Sequence, residues 1–397
     1  MDLVIRAHES PPGAQEVEVV ERKGLGHPDT ICDGIAEHVG VRLCRYYLDR
    51  FGVILHHNVD KVLLVGGAAR PAFGGGEVLE PIEIYLAGRA VQDHRGTRIP
   101  VHDIAVEGCQ DWVRTHLRGV DVERHVRIIS RLRPGSTSLT QLFAAGGDSP
   151  LANDTSCGAG FAPMTDLETV VLAVERALND RETKQAHPEI GEDIKVMGMR
   201  RGRRIHLTIG CGFVGRFVSG IDDYARKKAA ACALAVAAAR ATTALEVEAV
   251  INVADDLDRG DVFLTVTGTS AEAGDDGEVG RGNRVGGLIT PYRVMTIEAA
   301  AGKNPVSHVG KIYNVVAGRI ASTITKELRG VGGASCVLVS QIGRPVDNPQ
   351  LVEIGLVTGG APLSNAVSAA AADIARSQLG QIGVLRDELL SERLTLF

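Results

Sequence analysis

The chain has 397 residues, of which 44% are hydrophobic and 23% are charged. This length is sufficient for two or three domains, and the composition excludes both a disordered chain and a membrane bundle. The net charge of −6 disfavours nucleic acid or an anionic membrane as a partner, so any anionic ligand must be bound by local clusters of cations.

Three features of the sequence predict a cytoplasmic protein. The longest apolar run, residues 229–239, is shorter than the roughly 20 residues needed to cross a bilayer. Residues 1–10 carry charged side chains and no apolar core, so they are not expected to act as a secretory signal. The seven cysteines are an odd number without a C-x-x-C pair, which argues against a disulfide framework and against a zinc site.

Periodicity and turn residues predict a mixture of strands and helices in the first third of the chain. The predicted strands are residues 16–21, 53–57, 61–65, 81–87 and 123–130, and the predicted helices are residues 30–50 and 101–117. The first helix is expected to end at Gly52. After the strand that ends at residue 130, mostly loops are predicted up to residue 163.

The same mixture continues through the rest of the chain. The predicted helices are residues 166–179, 221–241, 306–328, 363–379 and 385–393. The predicted strands are residues 194–199, 204–210, 247–253, 262–267 and 335–342, and the first two of these form a hairpin. A glycine-rich loop is predicted for residues 268–287.

Strands that are often adjacent in sequence favour an α+β fold over a doubly wound parallel sheet. Each third of the chain has two or more strands and about two principal helices. This pattern predicts three similar, closely packed α+β units with antiparallel-rich sheets. Their approximate boundaries are residues 1–135, 136–270 and 271–397, and the units are expected to be interleaved in sequence.

Residues 22–29, with the sequence RKGLGHPD, lie between the first strand and the first helix. Pro28 suits the first position of a helix, and the free N–H groups of such a turn attract anions. Asp29 would repel a phosphate unless a cation lay between them, which suggests Mg²⁺. On spacing alone a structural role is favoured, in which Asp29 complements the helix dipole and His27 is an ordinary loop residue.

The glycine-rich loop carries a second group of charged residues. Asp275 and Asp276 could bind a hard cation, and Arg281 and Arg284 could bind phosphate oxygens. The alternative is a solvated turn, because charged turns rich in glycine are common. The spacing does not decide between these interpretations.

Four other segments could bind a ligand. Lys303 follows a glycine but lacks the pattern of a Walker A loop, so it is at most a point charge for a phosphate. Asp193 and Lys195 are two residues apart on a predicted strand, which places them on one face as functional groups or as a surface ion pair. Residues 73–77 and 153–158 are predicted loops that either contact a ligand or lie on the surface.

Taken together, these segments resemble the archaeal-type S-adenosylmethionine synthetases. The similarity covers nearly the whole chain, and the order and spacing of the motifs are specific although each motif is weak. The segments are residues 21–29, 55–61, 73–77, 153–156, 192–198, 274–277 and 302–305, together with the C-terminal Thr-Leu-Phe.

The resemblance implies transfer of the 5′-adenosyl group of ATP to the sulfur of L-methionine, with hydrolysis of the released triphosphate to pyrophosphate and phosphate. It also implies Mg²⁺ and K⁺ as cofactors, and a homodimer or larger assembly with its sites between subunits. A neutral thioether that attacks carbon needs no general base, which agrees with the lack of a Ser/His or Cys/His dyad in the sequence.

The resemblance further implies roles for individual residues. The catalytic candidates are His27, near the C5′–O bond that breaks, and the polyphosphate-binding residues Lys195, Arg281 and Lys303. The metal-binding candidates are Asp29, Asp275 and Asp276. The substrate-binding candidates are Asp154 and Asp193, for ribose or methionine, and Gly75, Asn153 and Ser156.

The sequence departs from the bacterial and eukaryotic branch of this family at three positions. Thr267 stands where that branch has a phenylalanine over adenine, Gly282 where it has a second lysine, and Val309 where it has a metal-binding aspartate. The adenine contact, the K⁺ site and a second Mg²⁺ ligand therefore stay open. The possible substitutes are Asp60, Asp276, Arg284 and Lys311.

Two other functions compete with methionine adenosyltransferase. A catalytically silent homologue that binds a nucleotide or a partner subunit is expected to have lost charged site residues, but these residues are present. An unrelated Mg-nucleotide phosphotransferase is disfavoured because the Walker and kinase patterns are missing.

Overall fold

The structure is a computed structural model that describes residues 1–8, 10, 13–146 and 150–397. The helices are α1 (Pro28–Phe51), α2 (Val101–His116), α3 (Val122–His125), α4 (Thr137–Ala145), α5 (Asp166–Asn179), α6 (Arg181–Ala186), α7 (Ile221–Arg240), α8 (Val309–Glu327), α9 (Asn365–Leu379) and α10 (Ile382–Leu390). The strands are β1 (Asp2–His8), β2 (Val17–Lys23), β3 (His57–Val65), β4 (Ala68–Ala72), β5 (Gly75–Glu80), β6 (Ile82–Ala90), β7 (Asp93–His94), β8 (Thr97–Arg98), β9 (Val126–Arg133), β10 (Cys157–Ala162), β11 (Ile190–Arg201), β12 (Arg204–Val214), β13 (Glu246–Ile251), β14 (Leu264–Thr265), β15 (Gly277–Glu278), β16 (Gly333–Val339) and β17 (Leu351–Val357). The chain is therefore a mixed α+β protein, as the sequence predicts.

Most strands belong to three sheets. Their strand orders are β1-β17-β16-β10, β13-β12-β11-β2 with β14 beside β12, and β15-β3-β6-β9. Along each of these orders one outer pair is parallel, namely β1 with β17, β13 with β12 and β9 with β6. β14 is also parallel to β12, and the remaining pairs of these sheets are antiparallel.

The chain changes sheets between a strand and the long helix that follows it. β2 pairs with β11, yet the next element, α1, packs on β3 of another sheet. β10 pairs with β16, whereas α5 packs on β11, and β15 pairs with β3, whereas α8 packs on β10 and β16. These three connections, two short turns and the long segment 279–308, therefore run between two sheets, and the turn between β2 and α1 is one of them.

Each sheet has its own apolar core. The first core lies between β3, β6 and the helices α1 and α2, the second around α8 and the strands β16 and β17, and the third between β11, β12 and the helices α5 and α7. Each core contains one fully buried tyrosine, Tyr47, Tyr313 or Tyr224 respectively. Among the described helices, none is both long enough and apolar enough to cross a membrane.

The start of α1 agrees with the sequence analysis and positions the site. Pro28 is the first helical residue, and the His27 side chain caps the helix by accepting a hydrogen bond from the Asp29 N–H. The helix ends at Gly52, where φ is 72°, a conformation that glycine adopts without steric cost. The hairpin of β11 and β12 is likewise confirmed.

Several predicted elements were wrong. The strand expected at residues 53–57 is absent, because β3 begins only at His57 and runs through a bulge between Asn58 and Lys61. The strand expected at residues 262–267 shortens to Leu264–Thr265. The predicted loop 73–77 belongs to the β4–β5 hairpin.

Other elements had no sequence prediction at all. α4 and β10 occupy part of the predicted loop before residue 163, and β1 and β17 were not predicted. β10 is rich in glycine because α8 lies close to it: a Cβ at Gly158 would lie 2.3 Å from the Tyr313 carbonyl carbon. Such a strand lacks the β-branched and aromatic residues by which strands are recognised.

Candidate active site

The turn between β2 and α1 lies directly against β11. The Gly24 N–H donates to the Ile194 carbonyl at 2.6 Å, and the Gly26 N–H donates to the Glu192 carbonyl at 2.9 Å. A Cβ at Gly26 would lie 2.5 Å from the Asp193 backbone nitrogen, so this approach requires glycine. The turn therefore brings the first residues of α1 next to the bulged part of β11 that carries Asp193.

His27 has one ring nitrogen occupied and one available. Its Nδ1 accepts the Asp29 N–H at 3.2 Å, which assigns the proton of the neutral ring to Nε2. Burial lowers the pKa of His27 to about 4; the charges of Asp29 and Asp275 raise it, and those of Lys23 and Lys195 lower it. At neutral pH the ring is therefore an uncharged donor among charged side chains.

Asp29 is held in place by two donors. Lys23 Nζ lies 2.7 Å from its Oδ2, and the Glu278 N–H donates to its Oδ1 at 2.9 Å. Burial acts to raise the pKa of Asp29, but these hydrogen bonds and the lysine charge hold that pKa below its usual value. Lys23 Nζ also donates to the Arg281 carbonyl at 2.9 Å. Lys23 was not among the predicted site residues, although its place beside Arg22 in a cationic pair was a signal.

Asp193 and Asp275 meet at Ser270. The Ser270 N–H donates to Asp193 Oδ2 at 2.8 Å, and the Ser270 hydroxyl is within hydrogen-bond distance of Asp193 and, at 2.9 Å, of Asp275 Oδ2. Burial raises the pKa of Asp193 to about 6. Ser270 was not among the predicted site residues, because only the fold brings it next to Asp193. The first cluster is thus formed by Lys23, His27, Asp29, Asp193, Lys195, Ser270 and Asp275.

Lys195 and Arg281 present their charges at the open side of this cluster. The Lys195 side chain is 46% exposed and lies 3.3 Å from Glu21 Oε1 on β2. Arg281 is exposed, and its backbone is tied to Lys23. Asp276 is also exposed, but its Oδ1 accepts the Gly66 N–H at 2.8 Å, which ties it to the connection between β3 and β4.

A second cluster surrounds the start of α8. Lys303 is buried and forms an ion pair with Glu298, whose other oxygen lies 3.2 Å from the Ser156 hydroxyl. Asn153 Oδ1 accepts the Val309 N–H at 3.2 Å. The Asp154 carboxylate accepts the neighbouring Thr155 N–H at 2.7 Å. The second cluster thus contains Asn153, Asp154, Ser156, Glu298 and Lys303.

The two clusters are separate in the part of the chain that the structure describes, as far as polar contacts are concerned. Among the described residues, no hydrogen bond or ion pair joins a member of the first cluster to a member of the second. Gly75 belongs to neither, because it lies at the turn of the β4–β5 hairpin, where the Gly74 N–H donates to the Gly215 carbonyl at 2.9 Å. The described residues also contain no group of three or more His, Cys, Asp and Glu arranged to hold a metal ion.

The three positions that depart from the bacterial and eukaryotic pattern lie in different environments. Thr267 is buried and donates to Glu272 through its N–H and hydroxyl, and Val309 lies in the apolar core around α8. Gly282 lies beside α1, where a Cβ would be 2.7 Å from Asp33 Oδ2. No side chain at these positions can supply the expected contact.

The proposed substitutes are engaged in the following ways. Asp60 forms an ion pair with Lys61 at 2.9 Å, and Lys311 is buried in an ion pair with Glu37 at 2.7 Å. Arg284 donates to the carbonyls of Gly280 and, at 2.7 Å, Gly282. Asp276, as described above, accepts a backbone N–H.

Cations, exposed carboxylates and a neutral imidazole donor at a helix N-terminus are typical of an enzyme that binds a polyphosphate and its metal ion. The chain matches the S-adenosylmethionine synthetase (AdoMet synthetase) family over residues 3–393. It therefore belongs to the S-adenosylmethionine synthetase family.

Individual relatives of the chain agree with this family assignment. The chain is 53% identical over 351 residues to a probable S-adenosylmethionine synthase of Aquifex aeolicus, with 88% of each chain covered. It is 47% identical over 403 residues to an S-adenosylmethionine synthase of Pyrobaculum aerophilum, with both chains covered completely. Its fold is similar to the solved structure of an unusual S-adenosylmethionine synthetase from Campylobacter jejuni, with a TM-score of 0.62, 16% identity, and coverage of 94% of this chain and 88% of the other.

Proposed function

We infer that the protein is a methionine adenosyltransferase, which makes S-adenosylmethionine from ATP and L-methionine and hydrolyses the released triphosphate to pyrophosphate and phosphate. Besides family membership, the observation that carries this inference is the His27 ring, kept neutral with a free Nε2–H between the charges of Lys23, Lys195, Asp29 and Asp275. A donor so placed can stabilise charge that develops on a leaving triphosphate oxygen.

The chemistry needs orientation and charge stabilisation rather than a base. The neutral methionine sulfur donates an electron pair to C5′ of ATP as the C5′–O bond breaks, and the bonding pair leaves with the triphosphate. Negative charge therefore grows on the leaving oxygens. We propose that His27 donates to the oxygen nearest C5′ and that Lys195, Arg281 and Lys303 bind the remaining phosphate oxygens.

We propose Mg²⁺ and K⁺ as cofactors, with Asp29 and Asp275 as protein ligands of Mg²⁺. Mg²⁺ is usually held by one or two carboxylates together with substrate phosphates, so a complete protein cage is not required. The fit of Asp29 and Asp275 is supported by their charges, both of which act on His27. When bound, Mg²⁺ neutralises part of the charge on the triphosphate. Asp276, whose Oδ1 accepts the Gly66 N–H, is a third candidate.

We propose that the active site of a homodimer combines the first cluster of one subunit with the second cluster of its partner. Two observations support this. Within the described part of one chain no hydrogen bond or ion pair joins the two clusters, and the exposed face of β2 and β11 that carries Lys195 also carries apolar side chains, with Met199 46% exposed. Asp193, Asp154, Asn153 and Ser156 would then contact methionine and ribose across the interface, and Gly75 would contribute through its hairpin.

We also propose that the chain consists of three similar units, interleaved in sequence, with approximate boundaries near residues 135 and 270. Support comes from the shared pattern of the three sheets, each with one parallel and two antiparallel pairs along its order and each with its own core. The cytoplasm, where ATP and methionine are available, is the proposed location.

Incubation with ATP, L-methionine, Mg²⁺ and K⁺, followed by mass spectrometry, tests the function. We expect a sulfonium product, pyrophosphate and phosphate. Formation of a phosphorylated acceptor, or no conversion by protein that binds ATP, would contradict the proposed reaction.

A further inference from the structure

Two carboxylates one helical turn apart on α1 hold the same loop. Asp29 Oδ1 accepts the Glu278 N–H at 2.9 Å, and Asp33 Oδ1 accepts the Gly280 N–H at 2.8 Å. Residues four apart on a helix lie on one face, so the two acceptors are spaced to bind alternate N–H groups of an extended segment. Only Asp29 has a proposed part in metal binding.

The second oxygen of Asp33 lies beneath this loop, next to Gly282. The Asp33 side chain is buried, and its Oδ2 accepts no hydrogen bond within the part of the chain that the structure describes. Gly282 lies directly over it, since a Cβ at position 282 would be only 2.7 Å from Oδ2. A buried carboxylate oxygen without a partner is costly, so such an arrangement is expected to persist only if it serves another purpose.

The opposite edge of the loop is held by a cation. Arg284 donates to the carbonyls of Gly280 and Gly282, while its positive charge interacts with both Asp33 and Asp29. The backbone of residues 278–282 is thus fixed through its N–H groups by α1 and through its carbonyls by Arg284. Arg281, between the two glycines, is exposed on the outer side of this arc.

We propose that Asp33 is a positioning residue that fixes the 278–282 backbone, and through it the direction of Arg281, and that a side chain at position 282 would displace its carboxylate from this position. The assignment of Arg281 to phosphate binding rests on the proposed function. The hold of Asp33 on the loop rests on the contacts alone.

Hydrogen exchange of a peptide that covers residues 278–282 and calorimetric binding of tripolyphosphate with Mg²⁺ test this proposal on the full chain. In Asp33→Ala, the Gly280 amide is expected to lose protection and the Kd for tripolyphosphate to rise about tenfold, because a buried N–H has lost its acceptor. Asp33→Asn keeps an acceptor and is expected to remain within about threefold of the unsubstituted protein. Asp49→Ala, which removes an exposed carboxylate from the same helix, is the control and should change neither quantity.

The contact between Asp33 and Gly282 provides a second, independent test of the proposal. Gly282→Ala is expected to raise the Kd about tenfold when Asp33 is intact, whereas adding it to Asp33→Ala should cause little further loss, because the clashing oxygen is gone. If Asp33→Ala does not fold, Gly282→Ala decides alone.

Several outcomes would overturn the proposal. They are a harmless Gly282→Ala, strictly additive losses in the double variant, or unchanged exchange of the 278–282 amides in Asp33→Ala. Failure of the unsubstituted protein to bind tripolyphosphate would instead contradict the proposed function, while the exchange data would still decide whether Asp33 holds the loop.

Discussion

Lys23 and Lys195 are direct partners in the antiparallel pairing of β2 and β11, so two lysines face each other on the exposed side of one sheet. Like charges opposite each other destabilise a sheet by a few tenths of a kcal/mol to about 1 kcal/mol. Glu21 and Asp29 offset part of this repulsion. In the proposed function, a bound polyphosphate would offset the remaining repulsion between the two lysines. Binding would then compensate for the destabilisation of the sheet.

Removing one of these charges should separate stability from binding. Lys195→Met is expected to raise the Kd for tripolyphosphate about tenfold while the free energy of unfolding stays within about 1 kcal/mol or increases, because repulsion is relieved and the ion pair with Glu21 is partly exposed. Calorimetry and thermal unfolding measure the two quantities. Arg201→Met, an exposed cation farther along β11, is the matched control and should leave binding unchanged. Equal effects of the two variants would contradict a specific site at Lys195.

His27 combines a cap and a donor, and two variants can separate them. His27→Ala removes both functions, whereas His27→Ser keeps an acceptor for the Asp29 N–H but lacks the ring N–H. Loss of one preorganised donor typically costs about 10²- to 10³-fold in rate. We expect this loss in single-turnover formation of S-adenosylmethionine for both variants, with a smaller effect on triphosphate hydrolysis. Restoration of the rate by serine would mean that His27 acts only as a cap.

Acidification should affect stability through His27 and Asp193 in opposite directions. The folded pKa of His27, about 4, lies below its ordinary value of 6.5, so the folded state binds fewer protons and stability is lost as pH falls from about 6.5 to 4. The folded pKa of Asp193, about 6, lies above its ordinary value of 3.8, so the stability that its neutral form contributes is lost as pH rises from about 4 to 6.

Unfolding measured at pH 7 and pH 5 tests these signs. Relative to the unsubstituted protein, His27→Ser should lose less stability between pH 7 and pH 5, by about 2 kcal/mol. Asp193→Asn should lose more, because the favourable protonation of Asp193 is no longer available. The same pH dependence in all three proteins would show that neither group titrates as described.

Asp275 and Asp276 are adjacent but are expected to differ in metal dependence. Asp275→Asn should raise the Mg²⁺ concentration that gives half-maximal tripolyphosphate binding about tenfold, because a hard cation prefers a carboxylate to an amide. Asp276→Asn should have a smaller effect, since an amide oxygen can still accept the Gly66 N–H. Both residues are exposed, so the melting temperature should change little. The reverse order in the Mg²⁺ titrations would assign the metal to Asp276.

Mixing two inactive variants tests the site between subunits. His27→Ala affects the first cluster and Lys303→Met the second. In a mixed dimer of the proposed kind, one of the two sites would combine only unsubstituted clusters. After unfolding and refolding an equal mixture, we expect about a quarter of the full activity, because half of the dimers would be mixed and each would have one intact site. No recovery, in a mixture shown by mass spectrometry to contain mixed dimers, would place both clusters in a site formed by one chain.

The sequence predicted those features of the fold and site that depend on neighbouring residues. Pro28 and Gly52 defined the ends of α1, and the turn that carries His27 was recognised from its local pattern. The contact of Ser270 with Asp193, 77 residues away, has no local signal, and neither does the pairing of β1 with β17. The glycine-rich strand β10 was missed because the close approach of α8 replaces the usual strand composition with small residues.

The family resemblance supplied expectations that periodicity could not. It associated residues from all parts of the chain, whereas spacing alone favoured a structural role for Asp29 and did not decide the roles of Asp275 and Lys195. Lys23 escaped both approaches because its role depends on a bond to Asp29 and on its position opposite Lys195. Side chains that act through the packing of two sheets are the hardest to recognise in a sequence.

Helix α1 carries a member of the first cluster and also contacts Gly302, the residue next to Lys303 of the second cluster. Its first turn carries Asp29, and Glu37, farther along, accepts the Gly302 N–H at 2.9 Å and forms an ion pair with Lys311. In the proposed dimer these two ends serve different active sites. A shift of α1 caused by triphosphate at one site would therefore move the Lys303 loop of the other site. The two sites of the proposed dimer would then be coupled through α1. We expect the second equivalent of substrate to bind with a different affinity from the first.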